Sequence, residues 1–463
     1  MRLAPFALMA SVAAASIAHA DPDADPVLES LVRDALAALP EVREAELRAK
    51  AEEQRAPQVG ALADPVLSVG IQNDGFDSIE VGTMETSFLL VMLSQELPWP
   101  GKRNLRRRVA DLGASGVAAR IERVRLSTDA EVRRGYLELL LARDRLALLE
   151  RLAELWRKSE DVARARYEVA SAPQSDILRA QLERSRLAQR RYALVAEERL
   201  RVQALNRLRG RPLDEPIATT RTVRDYSEPV LAPADADIAD AESRSPELRV
   251  SGFAIQRGVA AIDLARKDRY PDFSVNVGVM PRGDLEPMWQ AGVSMNLPFL
   301  WGRARRDAAV SEARLSTEAD RHATAAIAQI LRQRVAERRT TLAAVKDTLR
   351  LFRDGLLVQS HATVESTLAQ YRVGRVTFAS VLEAVAGSIG DEEAYLQSLA
   401  AAQRIAIASA EVSLEPVAGA SAGGMGGAAV PGAGSMGALG SSPAANVGGG
   451  NDGGGTASST GGM

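Results

Sequence analysis

The chain has 463 residues and no cysteine, with 57 Lys and Arg against 60 Asp and Glu for a formal charge of -3. The missing thiol excludes disulfides, cysteine nucleophiles, thiolate metal sites and a cysteine-linked lipid anchor. The near balance of charge argues against nucleic acid as the main partner, because phosphate recognition needs a net basic surface.

Residues 1–20 read as a secretory signal peptide. Arg2 supplies the positive start, an apolar stretch runs from Leu3 to Ile17, and Ala18-His19-Ala20 offers small residues for cleavage. The mature chain then begins at Asp21, and the loss of Arg2 takes the charge from -3 to -4. No other run holds the roughly 18 uncharged apolar residues of a transmembrane helix, so a spanning segment, if there is one, must be a β-strand.

Past the signal the chain reads as a twofold duplication. Pro40-Glu41-Val42-Arg43 returns as Pro246-Glu247-Leu248-Arg249, and Leu97-Pro98-Trp99 as Leu297-Pro298-Phe299. Arg166-Tyr167-Glu168-Val169 returns as Gln370-Tyr371-Arg372-Val373, and Ile177-Leu178 as Val381-Leu382, all at offsets of 200 to 206. The first repeat covers 21–211 and the second 246–415, each read as a helix, two strands, a very long helix, a turn and a return helix. Residues 212–245, rich in proline and acids, form the connection, where short irregular elements are expected. From 416 to 463 the chain is Gly, Ala and Ser with almost no charge, a composition that buries no core and predicts disorder.

In the first repeat, Val66 to Asn73 alternates apolar and polar, while Phe88 to Leu93 is apolar on both faces; Pro98, Pro100 and Gly101 then stop the second strand. A proline-free stretch of roughly 60 residues from Lys102 to Val169 predicts a helix about 90 Å long. In the second repeat, Phe273, Val275, Val277 and Val279 alternate with small polar residues, and so do Trp289, Ala291, Val293, Met295 and Leu297. Such period-two patterning matches transmembrane barrel strands, with Trp99, Phe299 and Trp301 placed for the membrane interface. A second long helix runs from Arg303 to Val373, and Leu342, Val345, Leu349, Phe352 and Leu356 keep the 3-4-3-4 spacing of a coiled-coil seam. Four strands per chain fall short of the eight or so a closed barrel needs, so several copies must share one barrel.

This order of elements resembles the outer-membrane efflux family whose best-known member is TolC, over residues 27 to 412. Its most specific pieces are Leu97-Pro98-Trp99-Pro100-Gly101-Lys102-Arg103 and the segments Arg166 to Gln181 and Gln370 to Val385; the first leans towards the heavy-metal branch. The resemblance implies a mainly α fold with transmembrane β-strands: a homotrimer with a twelve-stranded β-barrel in the outer membrane above an α-helical barrel in the periplasm. It implies docking through the hairpin tips, Val169, Ala170 and Pro173 in one repeat and Val373 and Gly374 in the other, to a periplasmic adaptor and an inner-membrane efflux pump. Ala170 stands where the family has glycine. Asp176 and Tyr371 align with an acid and a tyrosine that bond in the closed state, and Glu383 with a pore-facing carboxylate. Ser380 stands where the family can carry a second acid.

No catalytic constellation stands out: the mature chain holds only His322 and His361, with no phosphate loop or nucleophile motif, so no enzyme activity and no cofactor are expected. No metal site is expected either, Met425, Met436 and Met463 lying in the tail. The competing reading is a periplasmic coiled-coil adaptor or scaffold without a pore, its strands forming a small soluble sheet.

Overall fold

A computed structural model describes residues 25–298 and 302–416. The signal peptide, Phe299, Trp301 and the tail from 417 lie outside the described residues. The first half runs α1 (Pro26–Ala38), α2 (Pro40–Glu53), α3 (Arg55–Gly60), β1 (Val66–Gln72), β2 (Phe88–Leu97), α4 (Lys102–Glu168) and α5 (Gln174–Leu208). The second runs α6 (Ala234–Arg244), α7 (Pro246–Lys267), β3 (Phe273–Arg282), β4 (Leu285–Met295), α8 (Arg303–Leu351), a π-helical turn (Phe352–Leu356), α9 (Leu357–Arg372) and α10 (Phe378–Ala410).

The matched residues of the two halves do the same local work. Pro40 and Pro246 each open a helix, where the missing N–H of proline costs nothing. Gly101 and Gly302 each adopt a left-handed conformation, φ 92° and 86°, immediately before α4 and α8. At 67 residues α4 is about 100 Å long. Its apolar stripe, Leu137, Leu140, Leu141, Leu148 and Leu152, is buried together with Leu187 and Leu194 of α5 and Val385, Ile389 and Leu396 of α10 in one core. Each such side chain contributes on the order of 2 kcal/mol by leaving water.

Three expectations need correction. The single opening helix of the first repeat is three segments, divided at Leu39, where Pro40 removes an N–H, and again at Gln54. The connection holds one regular helix, α6, of 11 residues beside a short 3-10 turn at Val223–Asp225. The second long helix runs unbroken to Arg372 but is not α-helical throughout: the π turn at Phe352–Leu356 inserts an extra residue and shifts the phase of the seam. Leu342, Leu349 and Phe352 are buried, but Leu356 is only half-buried beyond the shift. The turn sits where Phe352 packs on Tyr395, ring centroids 6.1 Å apart, and Arg353 pairs with Glu228 of the connection.

The strands form one antiparallel sheet in the order β1-β2-β3-β4, so β1 and β4 are edges. β2 runs on to Leu97, and β4 starts at Leu285, earlier than the alternation from Trp289 indicated. Pro287 lies inside β4 beside the irregularity that shifts the register between Met280 and Arg282, a place where a strand tolerates proline. Directly opposed residues share a face. The register therefore puts Leu67, Val69 and Ile71 with Leu93, Val91 and Leu89, then with Val277 and Val279, then with Trp289 and Val293. On this face Val69 is 66 % exposed, Trp289 77 % and Val293 69 %. The other face carries Ser68, Ser94, Ser274, Asn276, Gly292 and Ser294, with Ser94 Oγ 2.8 Å from Asn276 Oδ1. No described helix is long and apolar enough to cross a membrane.

Sheet and helices are joined by a buried lysine. Lys102, at the start of α4, is 2 % exposed and donates to Asp272 Oδ1 and to the Tyr270 carbonyl, both at 2.9 Å. The same carboxylate accepts the Trp99 N–H at 2.7 Å, and the Trp99 ring stacks on Tyr270 and Phe273. One carboxylate thus fixes the exit from β2, the start of α4 and the entry to β3. Lys102→Met keeps the aliphatic stem but leaves Asp272 without its cation, an expected loss of about 3 kcal/mol. A lower midpoint of thermal unfolding by circular dichroism is the expected readout; an unchanged midpoint would show the pair to be dispensable.

Candidate functional site

The two hairpin tips are built alike. At the first, Ala170 N–H donates to the Tyr167 carbonyl at 2.9 Å and Ser171 N–H to the Arg166 carbonyl at 2.8 Å. At the second, Gly374 N–H donates to the Tyr371 carbonyl at 3.0 Å and Arg375 N–H to the Gln370 carbonyl at 2.9 Å. Each turn places one residue in the left-handed region, Ala170 at φ 56° and Gly374 at φ 76°. Glycine adopts that conformation freely, whereas alanine there costs roughly 1 kcal/mol. Pro173 and Thr377 are extended and precede the return helices α5 and α10. Val169 and Val373 stand 73 % and 70 % exposed at the two turns.

Behind the turns the structure brings Tyr371 and Asp176 together. The phenol is 1 % exposed and donates to Asp176 Oδ2 at 3.0 Å, linking the end of α9 to the first turn of α5. Its ring packs on Phe378, 5.4 Å between centroids, and Phe378 in turn on Trp156. Burial, reinforced by the bond to Asp176, pushes the phenol up to about 12.

Arg166 was not singled out from the sequence, yet it ties the tips to each other. Its guanidinium lies 4.6 Å from the Tyr371 ring centroid and donates to the Tyr371 and Ser171 carbonyls, both at 2.8 Å. A Cβ on Gly374 would sit 3.2 Å from Arg166 Nη2, a second reason for glycine there. The available signal was a difference between the repeats, arginine at 166 against glutamine at 370. Further along the first hairpin, Glu160 is buried and accepts from Arg184 at 2.6 Å, Arg164 at 3.0 Å and Gln181 at 3.2 Å. The bond from Arg184 outweighs burial and holds this carboxyl below the usual range.

Glu383 lies apart from this cluster. It is exposed on α10 and lines an open groove of about 500 Å³ between α9 and α10, with Gln359, Thr363, Ser380 and Asp391. Among the described residues no hydrogen bond or ion pair joins Glu383 to Tyr371 or Asp176. The histidines lie elsewhere: His322 is 3.9 Å from Glu318 on α8, and His361 is 3.1 Å from the buried Glu392. Among the described residues, no three His, Cys, Asp or Glu side chains gather as a metal cluster would.

Two outcomes follow from the tip geometry. Ala170→Gly relieves the left-handed alanine and should stabilise the first hairpin, by up to about 1 kcal/mol after the entropy glycine adds to the unfolded chain. Slower amide exchange in residues 160–180 would show it; faster exchange would contradict the strain. For Tyr371, the folded phenol stays protonated where a free one ionises near 10, so its bond contributes fully below about pH 10 and is lost as pH rises through about 12. The difference between the phenolate titrations of wild type and Tyr371→Phe should show one tyrosine titrating near 12. A difference centred near 10 would rule out the buried bond.

The family of outer membrane efflux proteins matches residues 31–210 and 238–410, one stretch in each half. No curated protein matches the chain. Among solved structures, the open state of the Neisseria gonorrhoeae MtrE outer membrane channel is similar at 19 % identity and a TM-score of 0.67, over 84 % of this chain and 89 % of that one. The outer membrane protein VceC from Vibrio cholerae gives 14 % and 0.68, over 84 % and 95 %. CusC, in a structure concerned with transmembrane channel formation, gives 17 % and 0.68, over 84 % and 92 %. These likenesses are of fold: mainly helical, with few strands, as in the TolC-like channels. With both of its halves matched over most of their length, the chain belongs to the outer membrane efflux protein family.

Proposed function

We propose that this chain is the exit duct of a tripartite efflux system in the outer membrane. After removal of residues 1–20, three copies contribute four strands each to a twelve-stranded barrel, and their helices continue the wall as an α-helical barrel in the periplasm. The observation that carries this reading is the open sheet, with an exposed face that is apolar but for Gln95, and two unpaired edges. Apolar patches of that size call for a cover, and lipid is the cover that leaves the small polar face towards a lumen. Lipid in turn forbids free strand edges, so β4 of one copy must pair with β1 of the next until the ring closes. A pore-free periplasmic scaffold would leave that face in water.

The two tandem repeats, 21–211 and 246–415, joined by 212–245, then supply equivalent hairpins to the helical wall. The exposed Val169 and Val373, with Ala170, Pro173 and Gly374, offer an apolar rim to a periplasmic adaptor, through which an inner-membrane pump delivers substrate. The Tyr371–Asp176 bond, braced by Arg166, restrains the tips in the closed state. Glu383, exposed and free of an intramolecular ion pair among the described residues, is placed by threefold symmetry in a ring of carboxylates that binds cations.

Purified protein in a planar bilayer should give stepwise conductance. Tyr371→Phe or Asp176→Ala, each removing a bond worth about 1.5–3 kcal/mol, should raise the open fraction about tenfold or more. Glu383→Gln should weaken block by divalent cations, and unchanged block would remove it from the pore. Release of the protein as a soluble periplasmic species, with no conductance, would sink the duct.

A further inference from the structure

Where the sheet meets the helices, its exposed apolar face continues into a row of stacked rings. Phe273 belongs to that face, in line with Val275, Val277 and Val279 of β3. The Trp99 ring stacks on Phe273, 5.7 Å between centroids, and on Tyr270 at 5.1 Å. Tyr270, 46 % exposed, lines an open groove of about 570 Å³ between the end of α7 and the start of α8. The same groove is lined by four cations, Arg266, Lys267, Arg269 and Arg314, against one acid, Asp263.

Two of these cations have carboxylate partners. Arg266 pairs with Asp263 at 3.2 Å and Arg269 with Asp307 at 2.6 Å. Among the described residues, the side chains of Lys267 and Arg314 take part in no hydrogen bond or ion pair. The Lys267 ammonium lies 5.3 Å from the centroid of the Tyr270 ring, the ring on which Trp99 stacks. The groove thus keeps two positive charges in excess, beside an aromatic surface that leads to the apolar face. Its surroundings are basic as well: α4 opens with Lys102, Arg103, Arg106, Arg107 and Arg108, α8 with Arg303, Arg305 and Arg306, and neither has an acid in its first turn. The N-terminal end of a helix carries partial positive charge, which repels cations. Local folding energy therefore opposes this placement, and an anionic partner outside the chain offsets it.

We propose that the groove binds the headgroup of an anionic phospholipid, its phosphodiester held by Lys267 and Arg314 and its acyl chains lying along Tyr270, Trp99 and Phe273 onto the apolar face. The pattern is that of a membrane boundary, where amphipathic rings sit at headgroup level and long cationic side chains reach the phosphates. A soluble anion would use the charges but not the rings, and a neutral lipid the rings but not the charges. The proposal rests on the duct reading, which puts this end of the sheet at the periplasmic leaflet, and it names the lipid that meets the duct there.

The test uses the full chain in a neutral detergent. Native mass spectrometry with dioleoyl phosphatidylglycerol should show saturable binding of about one lipid per chain, about tenfold or more tighter than dioleoyl phosphatidylcholine. Lys267→Gln with Arg314→Gln, which breaks no ion pair, should weaken it about tenfold or more. Lys267→Arg with Arg314→Lys, which keeps both charges, should retain most of the binding. Arg190→Gln with Arg199→Gln, the same change of charge at exposed positions of α5, should leave it unchanged. Circular dichroism reports the folding of each variant, and potassium conductance, measured in parallel, tests the duct by itself. Selective lipid binding in a protein that never conducts would keep the groove and discard the duct. Equal retention of the two lipids, displacement of phosphatidylglycerol by inorganic phosphate at constant ionic strength, or an equal loss in the α5 variant would overturn the groove.

Discussion

A backbone hydrogen bond left unmade in an apolar medium costs several kcal/mol, and this sheet carries two full edges of such groups beside a face of exposed valine, leucine and tryptophan. In water the face is unfavourable; in lipid the edges are. In the proposed duct both conditions are met together, because further copies add their strands. The rigid coupling at Lys102 then acquires its meaning. In that duct a strand held in lipid and a helix about 100 Å long would transmit any misalignment along their length, and a single carboxylate, Asp272, bonded to the Trp99 amide and to Lys102, joins the two.

Duplication supplies the frame, and divergence between the copies supplies the site. Tyr371 has a counterpart in Tyr167, but Tyr371 is buried while Tyr167 is 46 % exposed. Asp176 faces Ser380 across the duplication, Arg166 faces Gln370, and Ala170 faces Gly374. The bond behind the tips therefore joins a tyrosine from the second repeat to an acid from the first, and the arginine of the first braces the backbone of the second. Two identical repeats would have offered each tip the same groups. The sheet junction shows the same divergence: Lys102 is buried on Asp272, while Arg303, which begins the matching helix, stays exposed.

What could be read from the sequence tracks the range of the forces involved. Strand periodicity is local, so β3 was legible from its alternating valines, and the helix starts after Gly101 and Gly302 were legible from the breakers before them. The start of β4 was hidden by Pro287, which reads as a breaker unless the irregularity beside it in the ladder is known. The π turn was hidden because its cause is tertiary: Phe352 against Tyr395 and Arg353 against Glu228, partners far away in the chain. At the tips, Tyr371 and Asp176 were named through family resemblance and not through any pattern of their own. Arg166, whose two acceptors belong to different hairpins, had no local signature beyond the broken symmetry of the repeat.

In the proposed duct the tip must hold and yet yield, and the magnitudes suit that. The buried bond from Tyr371 to a carboxylate contributes about 1.5–3 kcal/mol, and the left-handed Ala170 subtracts about 1 kcal/mol from the hairpin beside it. A restraint of a few kcal/mol keeps the open form at the level of about a per cent or below. Covering Val169 and Val373, both largely exposed in the free chain, contributes of the order of 1.5–3 kcal/mol for each side chain. A docking partner thus has enough energy at the rim to offset the bond behind it, provided it buries those valines only when the tips part. Binding that covered them equally in both states would shift nothing, so the geometry of the adaptor contact and not its strength decides whether the duct opens.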